Sequence, residues 1–158
     1  SNEDEVVPII NEVEYAKSYL TIQKMRYKDK LEFQIDVDSS ILYIPLIKLV
    51  LQPIIENAIY HGLKYKESKG LLQVKGFMKD GNAVLQVIDN GVGMDEETLS
   101  HIYDKHKVNY HSNGVGVYNV QKRLKLYYGE NYGITYESEK GVGTTATITI
   151  PGIQEESI

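Results

Sequence analysis

Four short stretches of this chain set polar side chains beside glycine in patterns that could do chemistry. The run Leu51–Gly62 places a carboxylate, Glu56, and an amide, Asn57, side by side in an apolar helical segment. Burying either group without a partner costs about 1–3 kcal/mol, so the pair either faces water or serves something bound. Next come Asp89, Gly91, Gly93 and Met94, then Gly114, Val115, Gly116 and Val117, and finally Gly143 and Thr144. Asp89, with glycines two and four residues on, offers an acceptor carboxylate beside a backbone that a flat group can touch. The 6-amino group of adenine is a donor suited to it, although Asp89 could equally cap its own turn. Asn57 supplies a neutral oxygen, fit for a hard cation such as Mg²⁺ that keeps its waters and bridges phosphates. Gly114-x-Gly116 precedes a helical pattern, whose free N–H groups and dipole favour a phosphate. In this order the four stretches describe a nucleotide pocket.

Other chemistries fit less well. Position 119, where a dinucleotide fingerprint needs its third glycine, is Asn119, and no Gly-Lys-Ser/Thr follows to make a Walker loop. His101, His106 and His111 recur every five residues, a step of about 140° around a helix, so they would share no face for zinc. Glu96 and Glu97 read as helix-start charges, and no Ser-His-Asp or Cys-His set is visible. The absence of cysteine excludes disulfides and thiolate metal sites. A formal net charge of −5 argues against a nucleic-acid or anionic-membrane surface. No apolar run approaches the ~20 residues a spanning helix needs, no secretory signal is legible, and Ser1-Asn2 reads as an expression scar.

The elements that must position these groups follow from periodicity. Ile9, Val13, Ala16 and Leu20 predict an amphipathic helix over 9–27, its stripe widened by Tyr15, Tyr19 and Ile22. Leu31 to Val37 alternates as a strand, closed by the turn at Asp38, with Asp36 and Asp38 solvated. Pro45 is expected to open a short helical piece over 46–51, with a restart that puts Pro53 in a first turn and a stop at Gly62. Segments 72–78 and 83–89 read as strands joined by a hairpin at Asp80-Gly81. A short helix follows Asp95, and residues 101–113 lack a period, as a mobile lid would. A helix over 116–128, a strand over 134–138 and a strictly alternating strand over 145–150 complete one domain, 1–158, with residues 1–8 and 152–158 as flexible ends.

In order and spacing these motifs resemble the N, G1 and G2 boxes and final Gly-Thr of the GHKL ATPases. Within that superfamily the chain is similar to the catalytic domain of LytS/YesM-type sensor histidine kinases. The phrases Tyr19–Tyr27, Leu51–Ala58 and Arg123–Gly129 carry that likeness, which covers about Glu12 to Pro151. It implies an α/β two-layer sandwich of Bergerat type: a mixed sheet with helices on one face and ATP between the helices and the lid. Carried over by position, Asn57 would bind Mg²⁺ and Asp89 the adenine amino group. Gly91, Gly93, Met94 and Thr144 would shape the base pocket, and His61 would pack beside the base. Gly114, Val115, Gly116 and Val117 would pass near the phosphates, and Glu56 would polarise a nucleophile or support the metal. Two positions depart from the family: Pro53 stands where a carboxylate is common and Tyr60 where a Lys is common, with Lys64 as a substitute for phosphate contact. The resemblance further implies a phosphoacceptor histidine in an upstream dimerisation segment absent from these residues. It also implies a response regulator as downstream partner and a membrane-anchored homodimer with this part in the cytoplasm. A nucleotide-sensing regulatory module with little phosphotransfer is the alternative.

Overall fold

Alternating apolar residues build the sheet on which everything else rests. The computed structural model describes residues 5–104 and 114–154. Strands β1 (Val6–Pro8) and β3 (Pro45–Ile47) form a small antiparallel ribbon. Strands β2 (Leu31–Val37), β4 (Gly70–Lys79), β5 (Asn82–Asp89), β6 (Gly133–Glu139) and β7 (Gly143–Pro151) form a five-stranded sheet in the order β2-β4-β5-β7-β6. Only the β2–β4 pairing is parallel, so the sheet is mixed. The β4–β5 hairpin turns at Asp80 and Gly81, both with positive φ (51° and 81°), the backbone an Asp-Gly turn favours.

One face of the sheet is apolar. Its register rows Val74–Val87–Ala146 and Leu85–Ile148–Ile134 are buried against helices α1 (Ile9–Tyr27), α2 (Leu51–Asn57) and α4 (Gly114–Tyr128). On the opposite face Gln73 donates to Gln34 (3.1 Å) and Gln86 to Thr147 (3.2 Å), polar pairs that tolerate water. Two layers result, sheet and helices. A short helix α3 (Glu96–Ser100) is capped by Asp95, which accepts from the Thr98 N–H at 2.8 Å.

Three expectations need correction. Tyr15 and Ile22 do not widen the buried stripe of α1, since they are 56 % and 62 % exposed. The stripe is Ile9, Ala16 and Leu20, and it includes the carboxylate Glu12. Glu12 accepts the backbone N–H groups of Leu49, Val50 and Leu51 at 3.2, 2.7 and 3.1 Å, an anion at the positive end of α2. From the other side Arg123 donates to the Lys48 and Leu49 carbonyls (2.6 and 3.3 Å). This clasp holds Leu49 at φ 62° and blocks the helix predicted over 46–51. Leu46 and Ile47 are instead buried in β3, whose Pro45 faces Pro8 at the ribbon's end, where neither proline must donate. Lastly, residues 6–8 are strand rather than flexible end. Gln154 is likewise tied down, donating to the Pro45 and Pro151 carbonyls at 2.9 and 3.1 Å.

Candidate functional site

Helix α2 begins at Leu51, so Pro53 lies in its first turn, where a missing N–H deprives no carbonyl of a partner. The expected restart is therefore where the helix starts. Beyond Asn57 the chain does not stop at Gly62; it widens into a π-helical segment, Ala58–Leu63, with Lys64 N–H donating to Ile59 at 2.9 Å. Such widenings cluster at functional sites. Here the segment lays Ile54, Asn57, Ala58, His61 and Gly62 over the sheet rows Val87–Ala146–Tyr136 and Asp89–Thr144. Between the two layers lies a mostly apolar cleft of about 340 Å³, its rim formed by Gly93, Met94, Thr98, His101, Ile102 and Asp104. That size and character suit a small ligand.

Asp89 closes one end of the cleft. It is buried, and its carboxylate accepts N–H donors from Gly91 (2.8 Å) and from Thr144. Burial pushes its pKa up from 3.8 to about 6 against those two hydrogen bonds. Gly62 and Gly91 are glycines because of this contact. A Cβ on Gly62 would sit 2.7 Å from the Asp89 Oδ1, and one on Gly91 would sit 2.2 Å from the Gly62 carbonyl oxygen. That carbonyl accepts from the Val92 N–H at 3.0 Å, fastening the loop after β5 to the end of the helix. Gly93 has φ 68°, and a Cβ there would sit 2.0 Å from the Glu139 carbonyl oxygen. The Met94 N–H donates to Ser138 Oγ at 2.8 Å, and the Ser138 and Thr144 hydroxyls meet at 2.7 Å.

His61 is neutral at pH 7, because burial lowers its pKa from an ordinary value already below 7. Its ring meets Tyr60 edge-on at 5.3 Å, so it acts as an uncharged wall of the cleft. Asn57 is buried about one turn before Gly62 and lines the cleft, as does Tyr136.

Asn57, His61, Asp89, Gly93, Met94 and Thr144 thus converge on one cavity. Gly91 supports it from behind. Glu56 is not among the lining residues; its carboxylate accepts from the Gln52 side-chain amide at 2.6 Å. Gly114, Val115 and Gly116 form the first turn of α4, one turn-fragment earlier than expected, and Val117 is fully buried in the core. Lys64 lies over the Tyr60 ring at 4.3 Å and donates to the Tyr60 hydroxyl at 3.3 Å, away from the lining. Of the predicted lid, residues 105–113 lie outside the described residues, His106 and His111 with them. His101 pairs with Asp104 at 2.6 Å on the rim, and no metal-binding cluster occurs among the described residues. Sequence reasoning missed Tyr136, although the alternation Ile134, Tyr136, Ser138 places it on the face that Ile134 buries. It also missed Ile54, Val87 and Ala146, which carry no chemical signal of their own.

The arrangement can take a flat group with an amino donor directed at Asp89, its polar remainder leaving past Asn57. The family profile described as histidine kinase-, DNA gyrase B- and HSP90-like ATPase matches residues 44–154. The chain is 33 % identical over 147 residues to the sensor histidine kinase YesM of Bacillus subtilis, covering 93 % of this chain and 24 % of YesM. It is 35 % identical over 130 residues to the sensor protein LytS of Oceanobacillus iheyensis, covering 81 % and 22 %. The chain therefore spans about a quarter of the length of these relatives. The catalytic domain of histidine kinase ThkA superposes with a TM-score of 0.71 over 94 % of this chain and 98 % of that one, at 15 % identity, which speaks to the fold.

Proposed function

The chain belongs to the histidine kinase-, DNA gyrase B- and HSP90-like ATPase family, and on that premise we propose that it holds Mg·ATP for transfer of the γ-phosphoryl group to a histidine elsewhere in a sensor kinase. One observation carries the reading: Asn57 and Asp89, 32 positions apart in sequence, line the same apolar cleft from opposite layers. Asp89 accepts the adenine amino group, and the glycine contacts at Gly62, Gly91 and Gly93 keep the backbone out of the plane of the base. His61 and Met94 flank that base, and Thr144 holds Asp89 in place through its N–H. Gly114, Val115 and Gly116, at the N-terminus of α4, offer backbone donors to the phosphates. Val117 serves there as the buried anchor of that turn.

The donor set suits magnesium. Asn57 provides one neutral oxygen, and no carboxylate cage is needed because Mg²⁺ takes its remaining ligands from phosphates and water. When bound, the ion neutralises charge on the β- and γ-phosphates. The chain's own contribution is to fix the nucleotide's position so that an incoming histidine meets the γ-phosphorus in line. Glu56 would support this only indirectly, through its place beside Asn57. The phosphoacceptor segment, a response-regulator partner, and a membrane-anchored dimeric whole belong to this proposal and lie outside these residues. Among the described residues no helix is long and apolar enough to cross a membrane.

A second reading, a nucleotide-sensing module with little transfer activity, is favoured by one feature. Lys64, the candidate for phosphate contact, is engaged with Tyr60 instead. Titration with ATP, ADP and GTP tests the base pocket: adenine nucleotides should bind and GTP should not. Adding the upstream histidine-bearing segment of the same kinase with labelled Mg·ATP then separates the readings. Acid-labile, base-stable label on histidine supports transfer; tight binding without label supports the sensor.

A further inference from the structure

Tyr136 is a large polar side chain lining the cleft that the reading above does not use. It stands on β6 in the row Val87–Ala146–Tyr136, two residues along the strand from the Asp89–Thr144–Ser138 row. That offset is about 7 Å along the sheet. The ring is pinned. Tyr103 meets it edge-on at 5.9 Å and is itself anchored by a 2.8 Å hydrogen bond to the Ile134 carbonyl. The hydroxyl is buried, and no described residue meets it with hydrogen-bond geometry. The Asn57 amide nevertheless lies against it, close enough to act on the phenol as a donor. A phenol is neutral near pH 7 and keeps oxygen lone pairs to offer.

An amide has two ends, and only its oxygen can ligate a cation. Something must decide which end faces the cleft. We infer that Tyr136 is the positioning residue for Asn57: its phenolic oxygen takes the amide NH₂ when the site is filled, which leaves the Asn57 Oδ1 turned toward the nucleotide-bound cation. The inference rests on the Mg·ATP reading, and it assigns Tyr136 a role through Asn57 with no contact to the base.

Tyr136→Phe removes only the hydroxyl and keeps the ring packed against Tyr103, so the fold is retained. Calorimetric titration of this chain with ADP and with the non-hydrolysable ATP analogue AMPPNP, in Mg²⁺ and in EDTA, reads the effect. The variant should lose about tenfold of its Mg²⁺-dependent affinity, the scale of an outer-shell change, while affinity in EDTA stays within about twofold. The double variant Tyr136→Phe/Asn57→Ala should be no weaker than Asn57→Ala alone, since the two act as a unit. In nitrogen-15 spectra the Asn57 side-chain NH₂ signal should shift on adding Mg·AMPPNP to the wild type, and shift less in Tyr136→Phe. Equal losses with and without Mg²⁺, no loss at all, or additive effects in the double variant would overturn the inference. Wild-type protein that binds ADP without any metal dependence would overturn it too, yet leave the base pocket standing. Wild-type protein that binds no adenine nucleotide would remove both.

Discussion

Asp89 should make stability and nucleotide affinity respond to pH in opposite directions. Its carboxyl titrates at about 6 in the fold, against 3.8 ordinarily, because burial outweighs the Gly91 and Thr144 hydrogen bonds. At 1.36 kcal/mol for each tenfold change, holding that group ionised costs the fold about 3 kcal/mol. The sign follows from proton counts. Between 3.8 and 6 the folded protein binds more protons than the unfolded chain, so stability falls as pH rises through this window and then levels off. Asp89→Asn removes the titration. It also gives up an acceptor for one of the two N–H groups, a loss of about 1–3 kcal/mol that opposes the gain near neutrality. The decisive quantity is therefore the difference between wild type and variant, measured by urea unfolding at several pH values. That difference should move in the wild type's favour by about 2.5 kcal/mol between pH 7.5 and pH 4. Affinity runs the other way, since the adenine amino group needs the ionised acceptor. ADP should bind the wild type about tenfold more weakly at pH 5 than at pH 7, and should not bind Asp89→Asn at either. A stability difference that is flat with pH would refute the buried-carboxylate argument. Unchanged ADP affinity in Asp89→Asn would remove the base pocket itself.

Three further perturbations probe the parts that hold the site. Asn57→Ala should lose Mg²⁺-dependent affinity while metal-free ADP binding persists in calorimetry; joint loss of both would make Asn57 structural. Gly62→Ala drives a methyl to within 2.7 Å of the Asp89 Oδ1, so ADP affinity should fall at least about tenfold, a 1.4 kcal/mol penalty. Its melting temperature should change little, and intact ADP affinity would mean the helix end yields to the methyl. Glu12→Ala leaves the first N–H groups of α2 without their carboxylate and should destabilise the protein by about 3 kcal/mol in chemical denaturation. Glu12→Gln should recover part of that loss, because its one oxygen can still accept, and a neutral outcome for both would show that water replaces the cap.

Strand alternation at 72–78, 83–89 and 145–150, the Asp-Gly hairpin and the helix over 9–27 are local patterns, and each was legible in the residues alone. The convergence of Asn57, Asp89 and Thr144 was legible only through the family resemblance, since residue type and spacing alone left Asp89 free to cap its own turn. What only the tertiary structure decided has one physical origin: contacts between groups far apart in the chain. Glu12 reads as one more acidic residue on a helix until α1 docks and its carboxylate meets the N–H groups of residues 49–51. That contact, with Arg123 opposite, turns an expected helical piece into β3. Gly62 looks like a helix stop, yet its lack of a side chain answers to Asp89 across the cleft. Tyr136 looks like a core aromatic, and only strand register sets its hydroxyl beside Asn57. Local sequence governs backbone preference; which polar groups are forced together, and so which need partners, is settled when the layers close.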